Sequence, residues 1–426
     1  MTSSGIVQSR IKHANQTGFL NLANLGLVSL PPIPPDVRIL HIDGNALKTL
    51  PPLPHSLEVL SCTNASLSSL PSLPPNLTHL YCGYNSLQSL PPLPDSLLEL
   101  SCSGNQFIEL PPLPPNLTKF ICVANNLLGL PELPASLTAL YCYANQLIAL
   151  PALPPNLLEL DCCRNRLTYL PTLPASLTRL ECEMNSLRSL PPLPRGLAHL
   201  VCNTNHLITL PMLPDSLETL SCKQNRIVLL DNLPSSLQAL HCSANRLLSL
   251  PALPASLTIL MCDSNWLLGM PDLPAGLTEL DCSENSLVQI PALPDSLYEL
   301  VCRTNQLTSL PRLPPHLVWL DCSRNNLSSL SNFPASVSMA KCDGNAFRSS
   351  VLQSLSSLDN CAMEFREYFA LRQRIRMQAQ SLIRLRHAFH IGVLSGDVLT
   401  WIGTFVTGKE GTLSAQIVLL QNEYHV

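Results

Sequence analysis

Aromatic residues make up only 5% of this 426-residue chain and charged residues 13%. A core built without large rings must be thin and filled by aliphatic side chains. No apolar run approaches the roughly 20 residues of a membrane-spanning helix. The start, MTSSGIVQSR, lacks a basic segment followed by an apolar one, so no classical secretory signal is read there. The expectation is a soluble chain made in a cytosol. A G-x-S-x-G elbow, a phosphate-cradling glycine loop and a paired C-x-x-C are all missing, which leaves hydrolase, nucleotide and zinc chemistry without support. Net charge is −4, and no basic face of the kind nucleic-acid binding needs is visible. Between residues 31 and 350 sixteen Lys and Arg stand against twenty-three Asp and Glu.

Proline is abundant and regularly placed. The unit PPLPDSLLELSCSGNQFIEL, Pro91 to Leu110, recurs every twenty residues from 31 to 350, in sixteen blocks without insertion or deletion. A fixed period of this size marks a solenoid. Leu100 and Cys102 alternate with polar Glu99, Ser101 and Ser103, the period of a short strand. Such strands stack in parallel about 4.8 Å apart, and sixteen or seventeen of them give an arc on the order of 80 Å. Asn105 stands where the chain leaves the strand, and its buried amide can serve backbone groups of its own turn and the next. The half carrying PPLPPNL or PALPASL cannot be α-helix or central strand, because proline lacks an N–H and fixes φ. Extended or short 3₁₀ segments are expected there, along a convex back.

The stretch LPPLPPNLTKFICVANNLLGLPELP resembles the short leucine-rich repeat of the Yersinia outer protein M and IpaH effector families, over about residues 20 to 350. The resemblance implies a leucine-rich-repeat solenoid with a parallel concave sheet. It also implies an effector delivered by a specialised bacterial secretion system into the host cytoplasm, where it binds host proteins. IpaH-type proteins add a large helical ubiquitin ligase domain with a Cys-x-Asp motif. Here about seventy-five residues follow the repeats, and Cys361 lies in Asn360-Cys361-Ala362-Met363 without the aspartate. Three classes are weighed: a non-enzymatic scaffold, which is preferred, a ligase with an unrecognised tail, and a bacterial surface-adhesion repeat.

Fifteen of seventeen cysteines, Cys62 to Cys342, share one repeat position. Neighbouring Cβ vectors there run parallel rather than converging, so a disulfide is disfavoured and small apolar core residues are expected. Cys163, off this ladder, is expected to expose its thiol. No metal and no cofactor is expected.

Three domains are read: an N-terminal helical cap over 1–19 with its helix at Ile6 to Asn15, a solenoid over 20–350 with one degenerate and sixteen in-register units, and a C-terminal helical cap or docking tail over 351–426. Within the solenoid, Ala65 replaces the ladder asparagine, which shifts to Asn64, and Asp231-Asn232 interrupt the proline pair. A local irregularity is expected at the first and a loosened edge at the second. In the tail, Phe365, Tyr368, Leu371, Ile375, Leu382, Leu385 and Phe389 form one apolar stripe. Arg366, Arg372, Arg374, Arg376, Arg384 and Arg386 lie mostly beside it or opposite, so the helix 366–386 also offers peripheral contact to a partner or an anionic surface. The runs Val398 to Val406 and Leu413 to Leu420 read equally as helix or strand.

Read as columns, the exposed strand residues place two patches side by side. Tyr81, Tyr84, Ile121, Val123, Tyr141 and Tyr143 cluster over four units and have the composition of a protein-binding hot spot. Glu159, Asp161, Glu181 and Glu183 make an acidic patch next to it, crossed by Arg164 and Arg179. A partner with an apolar knob and a basic rim suits both. Glu279, Asp281, Glu299 and Asp321 around Trp319 form a weaker candidate. His41, His79, His199 and His241 stand on the same face with no triad-like neighbours beyond chance.

Overall fold

The computed structural model describes residues 3–330 and 333–348, and within 352–377 residues 352, 353, 356, 360–363, 365–370, 373 and 377. The chain divides into two compact units, 1–277 and 278–426.

The first unit opens with helix α1, Ser3–Thr17. Val7 and Ala14 are buried, and Arg10 Nη1 donates to the carbonyl of Asn21 at 2.8 Å, which fixes the helix to the first strand. Gly18 ends it in the left-handed region, φ 71°, with its N–H on Ala14 O. Thirteen three-residue strands follow at twenty-residue steps, from β1 (Phe19–Asn21) and β2 (Ile39–His41) to β13 (Ile259–Met261). Pairing is parallel and in register: Phe120 lies opposite Leu140, which lies opposite Leu160. The central residue of each strand points into the core, and Leu100, Phe120 and Leu140 are fully buried. The second unit repeats the arrangement with β14 (Glu279–Asp281), β15 (Glu299–Val301), β16 (Trp319–Asp321) and β17 (Met339–Lys341).

Backbone satisfaction explains the invariant polar positions of the unit. The amide of Asn145 donates to Cys142 O at 3.1 Å in its own turn and to Cys122 O at 2.9 Å in the preceding one. Its Oδ1 accepts the N–H of Leu127 at 3.1 Å. Each ladder asparagine therefore closes donors and acceptors that neither strand nor turn can reach. To aim that amide inward, the residue before it turns left-handed: Ala124, Ala144, Arg164 and Met184 have φ between 52° and 56°. The proline half contains extended chain and one turn per repeat, in which Leu97 N donates to Pro94 O at 3.0 Å. A single such turn stands where a 3₁₀ segment was an alternative, because the next N–H, that of Leu98, donates instead to Thr78 O of the preceding repeat at 2.8 Å. Ser136 Oγ lies 2.8 Å from Pro115 O and 2.7 Å from Leu117 O, a second ladder that explains the serine in PASL.

Both expected irregularities have structural counterparts. At Ala65 there is no amide to receive Leu47 N, which bonds Ala65 O instead at 2.9 Å, and Lys48 and Ser66 take extra positive φ values of 57° and 59°. At Asp231-Asn232 a groove of about 440 Å³ opens, lined in part by Met212, Leu229, Leu230 and Leu233.

All seventeen cysteines are free and buried. Burial pushes the ladder thiols from Cys62 to Cys242, and that of Cys302, well above their ordinary range, Cys82 and Cys222 to about 12. Two expectations change. Cys163 is buried, not exposed: the chain leaves the strand after Asp161, and a small side chain two residues on tucks against the next turn. Cys361 is not outside the ladder. Its N–H donates to Ala340 O at 3.0 Å, and its thiol joins that of Cys342, itself 3.4 Å from Cys322 Sγ. The residues around it close the last repeat, with Asn360 Oδ1 accepting Ala340 N at 2.9 Å.

Residues 365–370 are helical. Phe365 is fully buried against Phe333, Phe347 and Phe369, at ring separations of 5.4, 6.4 and 6.5 Å. Arg366 Nη1 reaches Ala335 O at 3.2 Å, so this arginine serves the last repeat. The remainder of the apolar stripe from Leu371 on, Arg372 to Arg386, and both apolar runs beyond residue 397 lie outside the described residues. Among the described residues no helix is long and apolar enough to cross a membrane.

Candidate functional site

The parallel register sets the order of the exposed columns. The third strand residue gives the row Tyr81, Ser101, Ile121, Tyr141, Asp161, Glu181 over six adjacent turns. All six side chains are half-buried, since each leans on its neighbours in the row. Tyr84 and Tyr143 are exposed at 64% and 38%. Tyr84 stands on a left-handed residue, φ 54°, and its ring covers the neighbouring Gly104. Val123 does not belong to this surface. It is buried at 6% because its turn folds back on the preceding one, where its N–H meets Ser103 Oγ at 3.1 Å.

The tyrosine and acidic patches are chemically joined. Tyr141 donates its phenol proton to Glu159 Oε2, and this bond, with burial, pushes the phenol up to about 12. The Tyr81 phenol is also raised, by burial first and then by Glu99. Lys119 pairs with Glu99 at 3.2 Å. Arg179 lies against Glu181, its Nε 2.8 Å from Oε1, and Glu183 Oε2 accepts from Asn203 at 2.9 Å. Burial raises the Asp161 carboxyl, opposed by hydrogen bonds from Cys163, whose N–H lies 3.1 Å from Oδ1. The Cys163 thiol is pushed up by burial and by that carboxylate. Donor atoms of Asp161, Cys163 and Glu181 lie within 4.8 Å of one another, so these three are the residues with metal-holding geometry among those described. Their charges and donors are taken up by Arg179 and by the Cys163–Asp161 bond.

A polar groove of about 440 Å³ was not foreseen. It starts at Glu183 and runs past Asn203, Lys223 and Ser243 to Asp263. It lies beyond the strand, at positions where an alternating pattern no longer says which way a side chain points. On the adjoining strand face, His241 buries Nδ1 without a partner, and burial followed by Lys223 lowers its pKa. In the second unit Glu299 is raised by burial, then by Glu279 and Asp281, and Asp321 Oδ1 accepts Ser323 Oγ at 2.6 Å.

No protein-family model and no curated protein sequence matches the chain. Solved structures do. YopM from Yersinia enterocolitica WA-314 is 36% identical with a TM-score of 0.65, over 81% of this chain and 91% of that one. YopM from Yersinia pestis, described as a leucine-rich effector protein, is 35% identical with a TM-score of 0.64, over 80% of this chain and 94% of that one. The chain belongs to the YopM family of leucine-rich-repeat proteins. The functional domain of InlJ from Listeria monocytogenes, 25% identical with a TM-score of 0.56, covers 66% of this chain and 65% of its own, and is described as including a cysteine ladder. In this chain the ladder cysteines, Cys62 to Cys342, are buried in the core.

Proposed function

We propose that this YopM-family chain is a non-enzymatic bacterial effector, delivered by a specialised secretion system into the host cytoplasm, where the open face of its sheet binds host protein. On this reading 1–19 and 351–426 cap the solenoid of 20–350. The carrying observation is the uninterrupted row from Tyr81 to Glu181, in which the Tyr141 phenol bonds the Glu159 carboxylate, with Tyr84 and Tyr143 exposed on the same turns. Rigid aromatic side chains with fixed hydroxyls lose little entropy on contact and supply apolar area, and the acidic rim steers a basic partner. The ligase reading needs an accessible nucleophile, whereas Cys361 is fully buried in the ladder.

The test is affinity capture from host-cell lysate with the wild type and a Tyr81, Tyr141, Tyr143 to Ala triple variant, both checked for folding. A partner held by the wild type and lost by the variant supports the reading. A partner retained by the variant moves the contact off this face, and no partner sinks the host-scaffold function.

A further inference from the structure

One face of the first unit is not used by the proposed contact. The eighteenth residue of these blocks follows a buried leucine or isoleucine and points outward. In four consecutive turns it is Ile208, Val228, Leu248 and Leu268, exposed at 54, 45, 57 and 67%. Backbone bonds tie these rungs together, Val228 N to Ile208 O at 3.3 Å and Leu268 N to Leu248 O at 3.4 Å. They therefore form a ladder with the roughly 4.8 Å spacing of the sheet. The ladder has a sharp start: the preceding residues in the column are Thr168 and Arg188.

Two residues earlier in each turn stand Arg226, Arg246 and Trp266, all exposed. Arg246 lies over the Trp266 ring at 5.9 Å, which holds its guanidinium beside the ladder. Among the described residues neither Arg226 nor Arg246 forms an ion pair, while Arg38, Arg179 and Arg303 do. On the other side the ladder meets the groove at Asp231-Asn232, with Met212 exposed at 90% and Asp215 and Asp231 in its wall. An apolar ladder with uncompensated positive charge on one side and carboxylates on the other is asymmetric.

Geometry selects the occupant. Four rungs span about 14 Å at 4.8 Å each, and side chains at i, i+3, i+7 and i+10 of an α-helix span about 15 Å. Alternate residues of an extended strand recur about every 6.7 Å and fall out of step within two rungs. We propose that Ile208, Val228, Leu248 and Leu268 dock an amphipathic α-helix whose acidic flank is held by Arg226 and Arg246. This is a second interaction surface, independent of the tyrosine row.

A second ladder, Ile108, Leu128 and Ile148, supplies the internal control: it is equally exposed but flanked by Gln106, Asn126 and Gln146. The experiment titrates the full chain with a labelled helical peptide, followed by fluorescence anisotropy. The peptide carries leucine at i, i+3, i+7 and i+10, glutamate on one flank and glutamine on the other. Saturable binding is expected, weakened about tenfold or more by Leu248→Glu and by the Arg226→Glu, Arg246→Glu pair. Leu128→Glu and Tyr141→Ala should leave it unchanged. Binding should also weaken with salt. Equal affinity for a lysine-flanked peptide, equal loss with Leu128→Glu, or no binding overturns the proposal. Self-association of the chain that Leu248→Glu dissolves, seen by sedimentation without peptide, would assign the ladder to a second copy and overturn it too.

Discussion

The Tyr84 ring occupies the space that a side chain at Gly104 would need: a Cβ there would sit 2.7 Å from Tyr84 Cδ1. Both residues are left-handed, φ 54° and 63°, so the pair depends on one of them lacking a Cβ. Gly104→Ala should swing the ring off its neighbour and cost about 1 kcal/mol. Thermal unfolding and the Tyr84 ring resonances measure this. Unchanged ring shifts in a folded variant would refute it.

Removing a rung of the asparagine ladder should hurt more. Asn145→Ala leaves Leu127 N without its acceptor and takes one of two amide bonds from each of the Cys122 and Cys142 carbonyls, which keep Asn125 and Asn165. The loss is on the order of 1 to 3 kcal/mol. Chemical denaturation reads it. The natural gap at Ala65 is the contrast, since Leu47 N there reaches Ala65 O through a changed backbone. A loss below about 1 kcal/mol at Asn145 would mean that regular turns can rebond in the same way.

The thiol ladder makes a pH prediction. Burial raises the folded thiols from Cys62 to Cys242, Cys82 and Cys222 from an ordinary 9.0 to about 12. The folded chain then holds protons that the unfolded chain releases, so this stability is complete below about pH 9 and falls as pH rises toward 12. Melting temperature should drop steeply between pH 9 and 11, and a thiol reagent at pH 8 should label the native chain slowly and all seventeen cysteines after unfolding. A flat melting profile across that range would contradict the assignment.

Ultraviolet titration near 295 nm isolates Tyr141. Its phenol should ionise near 12, and Glu159→Gln should bring that step back toward 10, because both the accepting carboxylate and its charge are removed. Loss of the late step in Tyr141→Phe assigns it. No change in Glu159→Gln would show that burial, not the carboxylate, sets the shift.

Phe365→Ala tests whether the segment after the repeats is a structural closure. Removing a fully buried ring from among Phe333, Phe347 and Phe369 should cost about 3 to 5 kcal/mol and speed proteolysis of the last repeat first. Wild-type proteolysis kinetics would refute the closing role.

Periodicity alone revealed the strands, the inward leucines, the thiol ladder and the asparagine amides, because each is repeated until one physical explanation remains. It misplaced Val123 and Cys163 for one shared reason. The alternation was carried two residues past a strand that is only three residues long, into a turn where small side chains pack against the next backbone. Cys361 was missed as a ladder member because its segment has left the twenty-residue register and is brought to Cys342 only by folding. Tyr81, Ile121 and Tyr141 were legible as a row, but the Tyr141–Glu159 bond was not, since the partners are neighbours only across the sheet. The polar groove beginning at Glu183 has no repeat signature, because every turn contributes a different side chain.

That difference has its origin in the left-handed residue before each ladder asparagine. The backbone there is held by bonds that never involve its side chain, such as Ala124 N to Tyr143 O and Met184 N to Asn203 O. Tyrosine, alanine, arginine, methionine, glutamine and glutamate all occupy the position with φ between 52° and 54° or close to it. The site accepts nearly any chemistry without moving the main chain, so mutation can rewrite one edge of the molecule turn by turn while folding stays out of the way.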